Sequence, residues 1–334
     1  MDSNLILQLL IFGVSLFALV KASDWFVSAA ENIGLALGVS PFIIGVTIVA
    51  FGTSLPELAS SIVAVYMEYK MKAAAMLDPS MDLFLDPEMS PSSIVVGNVV
   101  GSNITNILLV LGLTVVIGKE IKLDFNVMEV DMPLLLGSAF LLWFVLSDGS
   151  LSIVEAFILL AALAIFLLNS VLAQKKDPKK ERDKILWKDI LMLIVGGVFV
   201  YLGATFTISS IENLSEMINI PPSIIAVTGV ALGTSLPEVA VSITAARKGS
   251  AGMAVGNVLG SNIFNTYAVM AIPRFISDLY IPKTMQEFHI PFMIAVSIIF
   301  AMVCLSGKIT RWEGSMLVLL YVYFVYESFA SGLF

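Results

Sequence analysis

Apolar residues run along this chain in long stretches that short polar segments interrupt. Ten such stretches can be drawn, roughly over 5–28, 40–67, 93–118, 132–147, 151–173, 188–210, 221–246, 253–275, 290–307 and 312–331. A helix needs about 20 apolar residues to cross the hydrocarbon core of a bilayer. The pattern therefore predicts an all-α polytopic membrane protein of ten transmembrane helices. The first polar residues, Met1-Asp2-Ser3-Asn4, lack the basic region of a cleaved signal, so the first stretch is read as a retained span.

The pattern also repeats. VSPFIIGVTIVAFGTSLPEL at 39–58 returns as IPPSIIAVTGVALGTSLPEV at 220–239, an offset of 181. GNVVGSNITN at 97–106 returns as GNVLGSNIFN at 256–265, an offset of 159. The difference, 22 residues, falls in an acidic segment of the first half, 68–92. Upstream, Glu31-Asn32 aligns with Glu212-Asn213. Five spans per half is an odd number, so the second copy enters the bilayer from the opposite side. Such inverted repeats place transport sites near the midplane between the copies. The expected division is a first five-helix repeat over 1–173, a basic linker over 174–187 and a second, inverted repeat over 188–334. The first copy of the motifs spans about 40–118 and the second about 221–275.

Composition fits a lipid environment. Hydrophobic residues make up 58% and charged residues 13%, and mean hydropathy is +0.96; soluble domains carry roughly a quarter charged residues. The lipid bilayer is thus the expected partner. A net charge of −8 argues against nucleic acid. The single cysteine, Cys304, rules out an internal disulfide and any cysteine-rich metal site. With the N-terminus outside, the inside loops collect Lys119, Lys122, the cluster from Lys175 to Lys188, Arg247, Lys248, Lys308 and Arg311; the outside loops hold Lys70, Lys72, Arg274 and Lys283. That bias predicts both termini outside and segment 174–187 in the cytoplasm. The oligomeric state is left open, with a monomer sufficient.

The repeated residues are the polar ones and the helix breakers. Pro56 has no N–H, so the Gly52 carbonyl loses its helical partner. Freed carbonyls are tolerated at membrane depth only where protein buries them or a wet cavity exposes them. Glu57 then opens the following half-helix, and Thr53 lies four residues before it on the same face. Gly233, Pro237 and Glu238 repeat this from the other side. Two intramembrane glutamates among neutral oxygens describe an all-oxygen site for a hard divalent cation. Ser102 and Asn106, four apart on one helix face, are expected to add oxygens, as are Ser261 and Asn265. The glycines Gly97 and Gly101 have the GxxxG spacing of close helix packing. Asn103 and Asn262 are expected to serve packing or capping.

The paired GTSLPE and GNxxGSNxxN stretches resemble the two alpha repeats of the sodium/calcium exchangers in the calcium/cation antiporter superfamily. The resemblance covers essentially the whole chain. It implies alternating access with competing Na+ and Ca2+ as transported ions, no cofactor and no enzymatic activity. It places calcium on Glu57 and Glu238 with the backbone oxygens of Thr53 and Thr234. Sodium sites would add Ala50, Ser54, Ser102 and Asn106, and in the second repeat Ala231, Ser235, Ser261 and Asn265. Gly-Thr-Ser before each glutamate looks like the sodium-coupled branch rather than the proton-coupled one. Asparagine at 265, where potassium-dependent relatives typically carry aspartate, points to K+ independence. Three sodium ions per calcium, the family's usual ratio, would make exchange electrogenic in a prokaryotic plasma membrane. A proton/calcium or broader divalent antiporter is the alternative, and a cation channel a distant one. An intramembrane enzyme would need a base beside its nucleophile, and neither repeat supplies one.

Other polar residues carry blander expectations. His289 is read as interfacial or in a loop. Lys21 and Asp24 are read as an ion pair on the first span. Asp78, Asp82, Asp86 and Glu88 are read as a solvated acidic loop, with a cation-attracting vestibule as the sharper alternative.

Overall fold

The structure, a computed structural model, describes residues 3–77, 91–123, 131–172, 185–217 and 222–330. The acidic segment 78–90 and most of the basic linker lie outside the described residues. The described residues form a helical run at each of the ten apolar stretches. In chain order these are α1 (Ser3–Leu37), α2 (41–77), α3 (91–118), α4 (Asp131–Val145), α5 (Ile153–Leu172), α6 (Trp187–Met217), α7 (Pro222–Arg247), α8 (251–274), α9 (285–304) and α10 (Arg311–Ala330). Six of the runs, α1, α2, α3, α5, α6 and α9, are long and apolar enough to cross a membrane, and α4 carries a shorter apolar helix. The molecule is an integral membrane protein.

Helix ends follow local chemistry. α1 continues well past the apolar stretch because Glu31 and Asn32 are compatible with a helix and nothing breaks it before Gly38. There φ turns to +74°. Gly38 N–H then bonds the Leu35 carbonyl and Val39 N–H the Gly34 carbonyl, at 3.0 and 2.8 Å, closing the helix on a left-handed glycine. At 35 residues α1 is about 50 Å long at about 1.5 Å per residue, well beyond the hydrocarbon thickness. α2 starts where the Ser40 hydroxyl accepts from Ile43 N–H with Pro41 in the first turn.

Two apolar clusters divide the packing. The larger joins α3, α4, α5, α8, α9 and α10 with parts of α2. The smaller holds α1 and α6 together and seats them against α2, α7 and α8 through Leu19, Phe26, Ile44, Val200 and Val241. α1 and α6 are the equivalent first helices of the two halves. They approach closely because a Cβ at Gly203 would meet the Leu19 backbone at 2.9 Å and one at Gly196 the Phe26 backbone at 3.0 Å.

Two short antiparallel ladders tie the loops. β1 (Glu120–Lys122) pairs β4 (Lys308–Thr310), and β2 (Ser150–Leu151) pairs β3 (Leu279–Tyr280). β1 follows α3 and β4 follows α9, whereas β2 follows α4 and β3 follows α8. Moving each strand of the first ladder to the equivalent loop of the other half generates the second ladder. An even number of helices separates the partners in each ladder, as loops on one side of a membrane require.

Two expectations are corrected here. Asp24 pairs with Lys248 rather than Lys21: Lys248 Nζ lies 3.6 Å from Asp24 Oδ1 and donates to the Asp24 carbonyl and the Ser28 hydroxyl at 2.6 and 2.7 Å. The α7–α8 turn brings this lysine to α1, a contact invisible to i,i+3 spacing. His289 is not in a loop. It is buried at the start of α9, edge-on to Phe288 and Phe324, with Nδ1 3.2 Å from the Thr284 carbonyl. The GxxxG glycines of the second copy make a tight crossing: a Cβ on Gly256 or Gly260 would strike the carbonyl oxygens of Phe42 and Val46. Among the described residues a Cβ at Gly97 meets only the Met285 methyl at 3.6 Å and one at Gly101 nothing within 4 Å; the side chains of 222–233 on α7, the counterpart of that crossing, lie outside the described residues.

Candidate functional site

The four motif segments converge in the middle of the fold on α2, α3, α7 and α8. Glu57 and Glu238 are both fully buried. They are close enough for each to feel the other's charge. The Thr234 side chain is within interaction range of Glu57, and those of Thr53 and Ser54 are within range of Glu238. None of the four carboxylate oxygens is satisfied by a hydrogen bond.

The chain reaches this geometry differently in the two copies. α2 is interrupted: a π-turn at Gly45–Val49 and a short helix Ala50–Thr53 lead to Ser54, whose φ of −89° and ψ of 1° leave the helical region before Leu55–Leu77 resumes. α7 was expected to break in the same way, but it is one continuous helix with Pro237 inside it. The proline removes one backbone donor, and that loss alone does not force the flanking residues out of helical dihedrals. The further kink in α2 is a property of its tertiary setting, since both copies read Gly-Thr-Ser-Leu-Pro-Glu.

Every other expected residue with a described side chain lies in this region. Ala50, Ser54, Asn106, Ser235, Ser261 and Asn265 have no measurable exposure, and Thr53 and Ser102 are 2% exposed. The side chain of Ala231 lies outside the described residues, though its backbone belongs to α7. Two hydroxyl contacts cross between the copies: Thr53 with Ser261 at 3.3 Å, and Ser102 with Thr234 at 3.2 Å. Repeat symmetry converts one into the other. Ser54, Ser235, Asn106 and Asn265 keep side-chain polar atoms buried and unsatisfied. Each such group costs roughly 1–3 kcal/mol if nothing pairs it. Neutral oxygens gathered in the same region as two carboxylates are chemically suited to hold a cation.

Some features were missed from the sequence. Asn106 and Asn265 each open a π-turn, Asn106–Leu111 and Asn265–Val269. Such turns displace backbone carbonyls from the regular helical ladder and recur at functional sites. Asn98 and Asn257, also repeated, brace this region. Asn257 Nδ2 donates to the Ser242 hydroxyl at 2.9 Å, and Asn98 Nδ2 to the Ser61 hydroxyl at 3.1 Å, the equivalent bond. The signal was present, since both asparagines lie inside the duplicated motif. Asn103 and Asn262 serve packing: Asn103 Nδ2 donates to Thr266 at 2.9 Å, and Asn262 Nδ2 to the Asn103 carbonyl at 3.1 Å. An apolar cavity of about 750 Å³, lined by Phe26, Gly52, Pro56, Leu193, Gly197 and Tyr201, lies beside α2 but offers almost no oxygen to a cation.

The profile of the family described as sodium/calcium exchanger protein matches residues 7–172 and 188–330. The chain belongs to that family. It is a family of transporters, not enzymes. The exchanger is 32% identical to the sodium/calcium exchanger MaX1 of Methanosarcina acetivorans, over 95% of this chain and 97% of that one. It is 32% identical to the inner membrane protein YrbG of Escherichia coli, over 87% and 86% of the two chains. Solved structures of the sodium-calcium exchanger NCX_Mj, soaked with sodium and strontium or sodium and calcium, share its fold. The first of these superposes with a TM-score of 0.79 at 30% identity, covering 98% of this chain and 99% of that chain.

Proposed function

We propose that this protein is a secondary antiporter that drives Ca2+ across the membrane against Na+ by alternating access at the Glu57–Glu238 cage. The single observation that carries the reading is the pair of fully buried, unsatisfied carboxylates ringed by unsatisfied neutral oxygens. Two negative charges match one divalent ion or several sodium ions, but not both sets together, so the ions take turns. Glu57, Glu238 and the Thr53 and Thr234 backbone oxygens hold calcium. Ala50, Ser54, Ser102 and Asn106, with Ala231, Ser235, Ser261 and Asn265, complete the sodium sites. No third acidic residue enters the cage at 265, which favours K+ independence. Three sodium ions per calcium would move one net charge per cycle.

In this reading the halves are 1–173 and 188–334, joined by a cytoplasmic linker, with both termini outside a prokaryotic plasma membrane. The distribution of basic residues supports that orientation, and the symmetric β-ladders support the inverted halves.

The test is calcium uptake into proteoliposomes with Na+, K+ and H+ gradients varied independently. Uptake should follow the outward sodium gradient, ignore potassium, generate a membrane potential and vanish in Glu57→Gln and Glu238→Gln. Uptake that follows a pH gradient and ignores sodium would establish a proton/calcium antiporter instead. Single-channel current steps without a counter-ion requirement would establish a channel.

A further inference from the structure

Two asymmetries run through a site whose sequence is symmetric. The first is in helix packing. α8 lies against residues 41–53 of α2 at backbone contact, with Gly45, Gly256 and Gly260 leaving no room for a Cβ. Among the described residues nothing comparable crowds Gly97 and Gly101 where α3 crosses α7, the facing side chains of 222–233 lying outside them. The second lies in the asparagines at these crossings. Each amide spends its donor end on the neighbouring helix: Asn257 on the Ser242 hydroxyl, and Asn98 on the Glu57 carbonyl and the Ser60 and Ser61 hydroxyls, at 3.1, 3.2 and 3.1 Å. That turns its acceptor end the other way. In the tight crossing the Asn257 Oδ1 accepts from the Thr53 hydroxyl at 3.1 Å, bridging α8 to the opposite repeat. In the open crossing the Asn98 Oδ1 is buried with no partner.

An inverted-repeat transporter reaches its other face when the two repeats exchange conformations around a fixed site. Applied to these contacts, the exchange opens the α2–α8 crossing and closes α3 on α7. The Thr53 hydroxyl then leaves Asn257, and the equivalent hydroxyl, Thr234, comes to Asn98. We propose that Asn98 and Asn257 are positioning residues of the transport cycle, each latching one end of the site shut by accepting a hydrogen bond from the cage threonine of the other repeat. The tight crossing is at the end of the α7–α8 turn, the cytoplasmic end in the orientation proposed above. Asn257 therefore closes the inner gate and Asn98 the outer one. The unsatisfied amide oxygen of Asn98 is the cost of holding one gate open. This rests on the antiporter reading and adds to it the residues that set which way the site faces.

The experiment measures half-saturating Ca2+ at each membrane face, using right-side-out and inside-out vesicles from cells expressing the full chain. A net hydrogen bond is worth roughly a 3- to 10-fold change in an equilibrium. Asn257→Ala should lower half-saturating Ca2+ at the cytoplasmic face and raise it at the external face by up to that factor. Asn98→Ala should do the reverse, and the double variant should return toward the wild-type balance. Ser242→Ala, which removes the anchor of the Asn257 amide and little volume, should shift the two faces as Asn257→Ala does but more weakly, and it serves should that variant fail to fold. Ser61→Ala leaves Asn98 held by the Glu57 carbonyl and Ser60 and should shift little. Shifts of the same sign at both faces, or none in Ser242→Ala, would overturn the latch while leaving the antiporter intact. A wild-type protein with no sodium-driven calcium flux would remove both.

Discussion

Gly101 and Gly260 occupy the same place in the two copies of GNVxGSN, yet an added methyl group should act on them in opposite directions. In Gly260→Ala the new Cβ would lie 2.8 Å from the Ala50 Cβ and on top of the Val46 carbonyl. Carbon atoms rest at about 3.5–4.0 Å, so α8 has to retreat from α2 by roughly 1 Å, and neither neighbour is a side chain that can swing aside. Overpacking of this kind costs about 1–3 kcal/mol. Replacing glycine by alanine inside a helix returns up to about 1 kcal/mol, which leaves a net loss of about 1–2 kcal/mol. At Gly101 the Cβ meets nothing within 4 Å among the described residues, so only the helical gain of up to about 1 kcal/mol remains. Tryptophan-fluorescence melting of purified protein reads the difference, at roughly 2–4 °C per kcal/mol for a chain somewhat smaller than this one. Gly260→Ala should melt several degrees lower and Gly101→Ala at or slightly above wild type. Equal shifts, or the reverse order, would refute the asymmetric packing. If the repeats exchange, Gly101→Ala should also slow calcium exchange despite its unchanged melting, because its methyl group obstructs the other state.

Glu68 is buried toward the C-terminal end of α2, accepting from Ser92 N–H at 2.6 Å and paired with Lys72 at 2.7 Å. Glu68→Ala strands an N–H in the first turn of α3 and should cost about 1–3 kcal/mol in thermal unfolding. Lys248→Met keeps the stem but loses the bonds to the Asp24 carbonyl and Ser28; with the ammonium partly solvated, the loss should be about 0.5–1.5 kcal/mol by the same measurement. Asn103→Ala removes the buried bond to Thr266 and should destabilise by about 1–3 kcal/mol while leaving half-saturating Ca2+ unchanged. A change in calcium affinity there would mean that Asn103 belongs to the cage.

Much of the architecture follows from the chain read in one dimension. Lipid demands internally satisfied backbone, so apolar stretches of sufficient length become helices, and all ten do so here. The duplicated motifs singled out Glu57, Glu238 and their neighbours because polar residues and helix breakers in a lipid-facing sequence have no reason to repeat unless they share a task. Proline chemistry marked where each helix loses a backbone donor, at Pro56 and Pro237, since a missing N–H is a local fact. What the sequence could not carry were differences between identical segments. GTSLPE leaves the helix at Ser54 in α2 and stays helical in α7. Gly260 is crowded where Gly101 is open among the described residues, and the Asn257 amide oxygen is bonded where that of Asn98 is not. Lys248 reaches α1 across the α7–α8 turn, and His289 is enclosed by rings from two helices. Each of these depends on which backbone arrives at a given point from elsewhere in the fold. A repeat encodes two equivalent halves, and only the packing of each against the rest of the fold decides where they differ.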